Sequence, residues 1–226
     1  MHEIEFQKKI PYQFKDIGLL KRALTHSSFA NECQNKKIKD NERLEFLGDA
    51  VLEIAVSDYL YRNYPDWTEG ELSKRRVAIV CEQALDLCAK ALSMSNYLYI
   101  GRGEERTGGR KRASILSDAM EAVIGAVYLD GGFDAACSYI HQVILEEVKG
   151  KPLYHDCKTA LQELIQGSSK KKIEYREAGS KGPDHNKTFM IDLFIGEEKI
   201  ASASGHTKKA AEQQAAYLAL LELEKN

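Results

Sequence analysis

The sequence predicts an all-α domain over residues 1–150, a linker at 151–156, and a small α+β domain of order α-β-β-β-α over 157–226. Three observations carry that expectation. Apolar residues recur at helical spacing almost throughout residues 4–149. The stretch KGKPLYHD, 149–156, combines glycine, proline and charge, as connections between domains do. Behind it the period shifts to two: Phe189, Ile191, Leu193 and Ile195 alternate with Met190, Asp192 and Phe194.

Taken in order, LLKRALTHSSFA reads as a short amphipathic helix running into a polar turn, and CQNKKIKDN as a charged loop ending in an N-cap at Asp40 or Asn41. A helix from about Glu42 to Tyr64 follows, with Leu44, Leu47, Val51, Ile54 and Ala55 at core spacing, stopped by Pro65. After the turn DWTEG, one long helix is expected from about Glu71 to Leu92. GRGEERTGGRKRAS, 101–114, has four glycines, five basic residues and two acids, the composition of an exposed, mobile loop. ILSDAMEAVIGAVYLD is apolar on nearly every side, so it belongs deep inside, and a last helix after GGF reaches about Val148. In the tail, a helix at 158–167 precedes strands near 172–178, 187–196 and 198–204. The closing helix, 208–224, turns Ala211, Ala215, Leu218 and Leu221 to the sheet, giving two layers.

The 226 residues are 43% apolar and 29% charged, an ordinary soluble composition. The opening MHEIEFQKKI lacks the apolar block of a signal peptide, and no run approaches the ~18 apolar residues of a membrane span. A soluble, cytoplasmic protein is expected. Five cysteines without a C-x-x-C pair read as buried thiols, and six histidines show no metal-binding spacing. The net charge of −2 hides a split: residues 151–226 hold 12 basic and 11 acidic side chains, leaving 20 and 23 for 1–150. Local clusters must therefore decide what the chain binds.

The stretch NERLEFLGDA poses the chemical question. At about 100° per residue, Glu42, Glu45 and Asp49 share one helix face without a lysine between them. Acids at this spacing are ordinarily a solvated stripe, but their neighbours here are tightly apolar, and Gly48 leaves room for another backbone or a ligand. SDAMEAVIGAV adds Asp118 and Glu121, three apart on a helix of Ala, Met, Val, Ile and Gly. Buried acids need a counter-charge or a metal. That helix supplies no basic partner, although another segment could. If the two helices pack together, four or five carboxylates converge, each like-charged pair costing about 3 kcal/mol at ~5 Å and an effective dielectric of ~20. All-oxygen ligands suit Mg2+ or Mn2+.

NERLEFLGDAVL closely resembles the signature of the ribonuclease III family, and SILSDAMEAVIGAVYLD resembles its second acidic motif. ALTHSS and EGELSKRR match further blocks in the expected order, and the tail is similar to a double-stranded RNA-binding domain. The resemblance spans essentially the whole chain. It implies an all-α endonuclease domain and Mg2+-dependent hydrolysis of double-stranded RNA by a homodimer, with Mn2+ substituting. The expected products carry 5′-phosphate and 3′-hydroxyl ends with short 3′ overhangs, made from rRNA and other structured transcripts. By matching position, Glu45, Asp118 and Glu121 would hold the metal, and Asp49 and Glu121 would be most critical to catalysis. Glu42 and Glu69 match supporting acidic positions. His26, in THSS, reads as a hydrogen-bonded structural residue rather than a general base.

In the tail, Gln162 and Glu163, His185 in GPDHNK, and Lys208 and Lys209 match positions that the family uses on RNA. Side chains there reach 2′-hydroxyls across the shallow minor groove, while a helix N-terminus and lysine charge suit phosphate. One departure shows: TKKAAEQQ has Ala210 and Glu212 where many such domains carry a third basic residue. SSKKK (168–172), GRKR (109–112) and SKRR (73–76) are basic runs that could face RNA or merely water. Two other classes compete: a cleavage-silent double-stranded RNA-binding protein, which the complete set of acids argues against, and a helical metal-dependent nucleotide pyrophosphohydrolase, which gives the tail no purpose.

Overall fold

A computed structural model describes residues 2–33, 38–151, 157–168, 171–181, 187–205 and 207–223. The chain divides into two compact units, 1–149 and 150–226. The first is helical: α1 (His2–Gln7), α2 (Ile17–Ala23), α3 (Ser27–Glu32), α4 (Glu42–Asn63), α5 (Glu69–Val80), α6 (Glu82–Ala91), α7 (Arg102–Arg106), α8 (Ala113–Gly131), α9 (Phe133–Ile140) and α10 (Glu146–Val148). At its centre lies α8, packed by α2, α4, α6 and α9. Its Ala119, Met120, Ala122, Val123, Ile124, Ala126 and Val127 are wholly buried, as the all-round apolar pattern requires.

Five details depart from the sequence reading. The expected helix 71–92 is two helices, because Cys81 is extended (ψ 156°) and α6 restarts at Glu82. Thr68 and Glu71 form a reciprocal capping box that starts α5 earlier than expected. Asn41 takes the N-cap of α4 but makes no side-chain cap; its buried backbone N–H donates to Thr25 O at 2.9 Å. Ile54 is 57% exposed, so it leaves the core that Leu44, Val51 and Ala55 enter. The expected final helix 133–148 contains a π turn at His141–Leu145.

Segment 101–114 is folded rather than a featureless loop. Glu32 accepts from Arg102 N (2.8 Å) and Gly103 N (3.0 Å), capping α7 from another helix. Arg110 donates to the carbonyls of Ser95 and Leu98, both at 2.8 Å, and pairs with Glu105; Arg112 pairs with Glu104 at 2.7 Å. The arginines of GRKR therefore tie residues 95–112 into one folded segment.

The second unit comprises α11 (Cys157–Ser168), β1 (Ile173–Lys181), β2 (Thr188–Ile195), β3 (Glu198–Gly205) and α12 (Lys208–Leu223), with an antiparallel sheet ordered β1-β2-β3. Ile191, Leu193 and Ile195 alternate inward and meet Leu161, Ile165, Ala211 and Ala215. Leu218, expected to face the sheet, is 37% exposed, and Ala216, Ala219 and Leu220 fill the interior instead.

Candidate active site

Two glycines decide how α4 meets α8. A Cβ on Gly48 would lie 1.8 Å from the carbonyl oxygen of Glu121, and one on Gly125 would lie 2.3 Å from that of Leu44. The helices thus touch backbone to backbone, and only glycine fits at either point. Glu45 and Asp49 flank this crossing on α4; Glu121 sits on it and Asp118 one turn before it. The space beside Gly48, foreseen for a backbone or a ligand, is filled by the α8 backbone.

The electrostatics follow from that crossing. Glu121 is half-buried, and its carboxyl is pushed up to about 8, first by burial and then by Asp49, Asp118 and Glu45. Glu45 is raised by burial and then by Asp118, Glu42 and Asp49. Asp118 is raised by burial, against which His26 and the Ser117 hydroxyl act. Every charge that perturbs Glu45 or Glu121 is negative, and among the described residues no lysine or arginine forms an ion pair with Glu45, Asp49, Asp118 or Glu121. The acids converge without closing: among the described residues, no three Asp, Glu, His or Cys side chains already stand as a ligand set for an ion.

Of the supporting acids, Glu42 is exposed in the first turn of α4 and its charge reaches Glu45. Glu69 stands elsewhere, on α5, accepting from the Ser73 hydroxyl at 2.7 Å. It rims a groove of about 750 Å³ shared with Ile54, Ser57, Tyr61, Trp67 and Arg76. Along α4, Phe46 is 81% and Tyr61 74% exposed, leaving a strip of apolar surface. His26 is an N-cap: its Nδ1 accepts from Ser28 N at 3.3 Å and lies 2.8 Å from the Ser28 hydroxyl.

Sequence reasoning missed Glu82. It opens α6, which packs on α8, and its carboxyl is raised by burial, then by Asp118 and Asp86. The signal lay in the helix break at Cys81, hidden by reading 71–92 as one helix. Arg76 of SKRR pairs with Glu53 at 2.9 Å and donates to the Ser57 hydroxyl.

In the second unit, Gln162 and Glu163 are exposed on α11, and Lys208 and Lys209 on the first turn of α12. Lys208 is engaged by Glu177 at 2.6 Å. Glu212, at the position that lacks the extra basic residue, pairs with Lys158 at 2.6 Å. His185 lies outside the described residues.

Residues 16–148 match a family model described as ribonuclease-III-like, and residues 157–223 match the double-stranded RNA binding motif. A protein named ribonuclease 3 from Listeria monocytogenes is 46% identical over 221 residues, covering 97% of this chain and 96% of the relative. The chain belongs to the ribonuclease III family. A ribonuclease 3 from Caldanaerobacter subterraneus is 49% identical over 220 residues, covering 96% of each chain. The solved nuclease domain of Campylobacter jejuni ribonuclease III, reported for flexibility in a region involved in dimer formation, is 40% identical with a TM-score of 0.59; the match covers 63% of this chain and 96% of that one. The helical unit is thus a ribonuclease III nuclease domain, and the chain is a family endoribonuclease carrying a double-stranded RNA-binding domain.

Proposed function

We propose that this endoribonuclease hydrolyses double-stranded RNA with Mg2+, or Mn2+ in its place, as a cytoplasmic homodimer. Its products would have 5′-phosphate and 3′-hydroxyl ends with short 3′ overhangs, and its substrates would be rRNA precursors and other structured transcripts. The convergence of Glu45 and Asp49 with Asp118 and Glu121 across the glycine crossing carries the reading.

The donor set fits a hard divalent cation: oxygen donors only, mutual repulsion, and, among the described residues, no lysine or arginine paired with them. Glu45, Asp118 and Glu121 would hold the ion, with rotamer changes bringing their oxygens together. Bound there, a divalent cation lowers the pKa of water and neutralises charge developing on the departing 3′ oxygen. With its carboxyl pushed up to about 8, Glu121 holds a proton near neutral pH, which a cation held there would displace. Asp49, exposed beside Gly48, orients the attacking water by accepting its hydrogen bond. Two rigid helices keep these carboxylates in register before RNA arrives.

The apolar strip of Phe46, Ile54 and Tyr61, together with the adjoining groove, supports a homodimer, as does the dimer-forming region reported for the Campylobacter jejuni domain. Among the described residues, no helix is long and apolar enough to cross a membrane, and the relatives are bacterial. Incubating the protein with duplex RNA and Mg2+ tests the reading. Discrete short duplexes with 5′-phosphates are expected. Protection without cleavage would instead indicate a silent binding protein, and nucleotide turnover with indifference to RNA a pyrophosphohydrolase.

A further inference from the structure

Strand β1 carries an acid where its pattern calls for an apolar side chain. Ile173, Tyr175 and Glu177 pair with Ile195, Leu193 and Ile191, three residues buried on the helix-covered face of the sheet. Alternation places Glu177 on that same face, as the last inward position before the register shift between Glu177 and Gly179. It reaches α12: Glu177 Oε2 lies 2.6 Å from Lys208 Nζ, which stands 5.7 Å from the centre of the Phe189 ring. Lys187 Nζ approaches the same ring at 5.5 Å.

We propose that Glu177 competes with the RNA backbone for Lys208 and thereby sets the duplex affinity of this domain. The inference rests on the reading of Lys208 as an RNA contact. A phosphate oxygen arriving at α12 meets an ammonium already held at hydrogen-bond distance by a carboxylate. It must displace that carboxylate, which then stays nearby as a like charge. A lysine neutralised by the protein's own acid also gathers less of its charge onto RNA, so binding releases fewer counterions. The two side chains are 57% and 42% exposed, which keeps the competition modest and reversible. A second lysine of this unit is held in the same way: Lys158 of α11 pairs with Glu212 of α12 at 2.6 Å.

The test uses the full chain in EDTA, where no cation supports cleavage, and a fluorescent duplex longer than the ~16 base pairs such a domain spans. Anisotropy is read across a KCl series for the wild type, Glu177→Gln, Lys208→Ala and the double variant. Glu177→Gln should tighten binding about two- to five-fold at low salt, the range open to an exposed pair. It should steepen the slope of log K against log salt by up to about one. Lys208→Ala should weaken binding, and adding Glu177→Gln to it should tighten binding clearly less than the same change does in the wild type. Equal tightening in the Lys208→Ala background would show mere removal of a repelling charge and overturn the proposal. So would a wild type that binds while Glu177→Gln leaves affinity and slope unaltered. A wild type that binds no duplex at any salt would overturn the RNA-binding reading, and the proposal with it.

Discussion

Glu121 ties the chemistry of the site to the stability of the fold. Without a cation its carboxyl sits at about 8, well above the ordinary 4.5. Between those values the folded chain keeps a proton that the unfolded chain has released, so stability falls as pH rises through that window. Glu45, Asp118 and Glu82 are shifted in the same direction. Discounted for partial exposure, the Glu121 contribution is about 1–2 kcal/mol, or a fall in Tm of roughly 2–8 °C from pH 5 to pH 9. Calorimetry in EDTA should show this decline, Glu121→Gln should flatten it, and saturating Mg2+ should remove it. A decline equally steep in Glu121→Gln would place its origin elsewhere. For activity, Asp49→Asn or Glu121→Gln should cut cleavage about 1,000-fold or more while RNA binding stays nearly intact, as expected for groups acting on the reacting phosphate. Loss of binding in gel-shift assays would make these acids structural.

At the scale of elements, the crossing of α4 and α8 inverts a general rule. Glycine in mid-helix normally costs about 1 kcal/mol relative to alanine. Gly48→Ala would instead drive a methyl group into the Glu121 carbonyl, so the variant should lose about 3 kcal/mol or more, seen as a Tm drop of roughly 6–12 °C. Unchanged or raised Tm would mean that the helices can separate at no cost. The helix pair and its acids were legible in the sequence because they are local: a 3.6-residue period, and carboxylates at spacings of three and four. Segment 101–112 was not, because its hydrogen bonds go to residues outside it, to Ser95 and Leu98 just before it and to Glu32 some 70 residues back, which composition cannot reveal. The break at Cys81 and the exposure of Ile54 were hidden likewise, since each depends on what packs alongside rather than on the residue's own neighbours. In the second unit, the clean alternation of β2 made the sheet readable, whereas Glu177 disclosed its role only once register put it beside Lys208.

For the whole molecule, the two units divide the work of cutting and holding. Removing 153–226 should weaken duplex binding at physiological salt, where few phosphate contacts survive screening, yet leave cleavage at low salt. Gel assays across a salt series would show this, and inactivity at every concentration would count against a self-sufficient nuclease domain. The proposed homodimer should dissociate in Phe46→Asp, read by sedimentation, because the variant sets a charge in the apolar strip beside the groove. An unchanged sedimentation coefficient would move the interface elsewhere.

The paired glycines also bear on speed. Because Gly48 and Gly125 already lock the two helix backbones together, an ion taken up as proposed would meet Glu45, Asp49, Asp118 and Glu121 on helices that need not move. Carboxylate rotamers turn on the picosecond-to-nanosecond scale, so the slower shedding of water by a Mg2+ ion would then set the pace of loading.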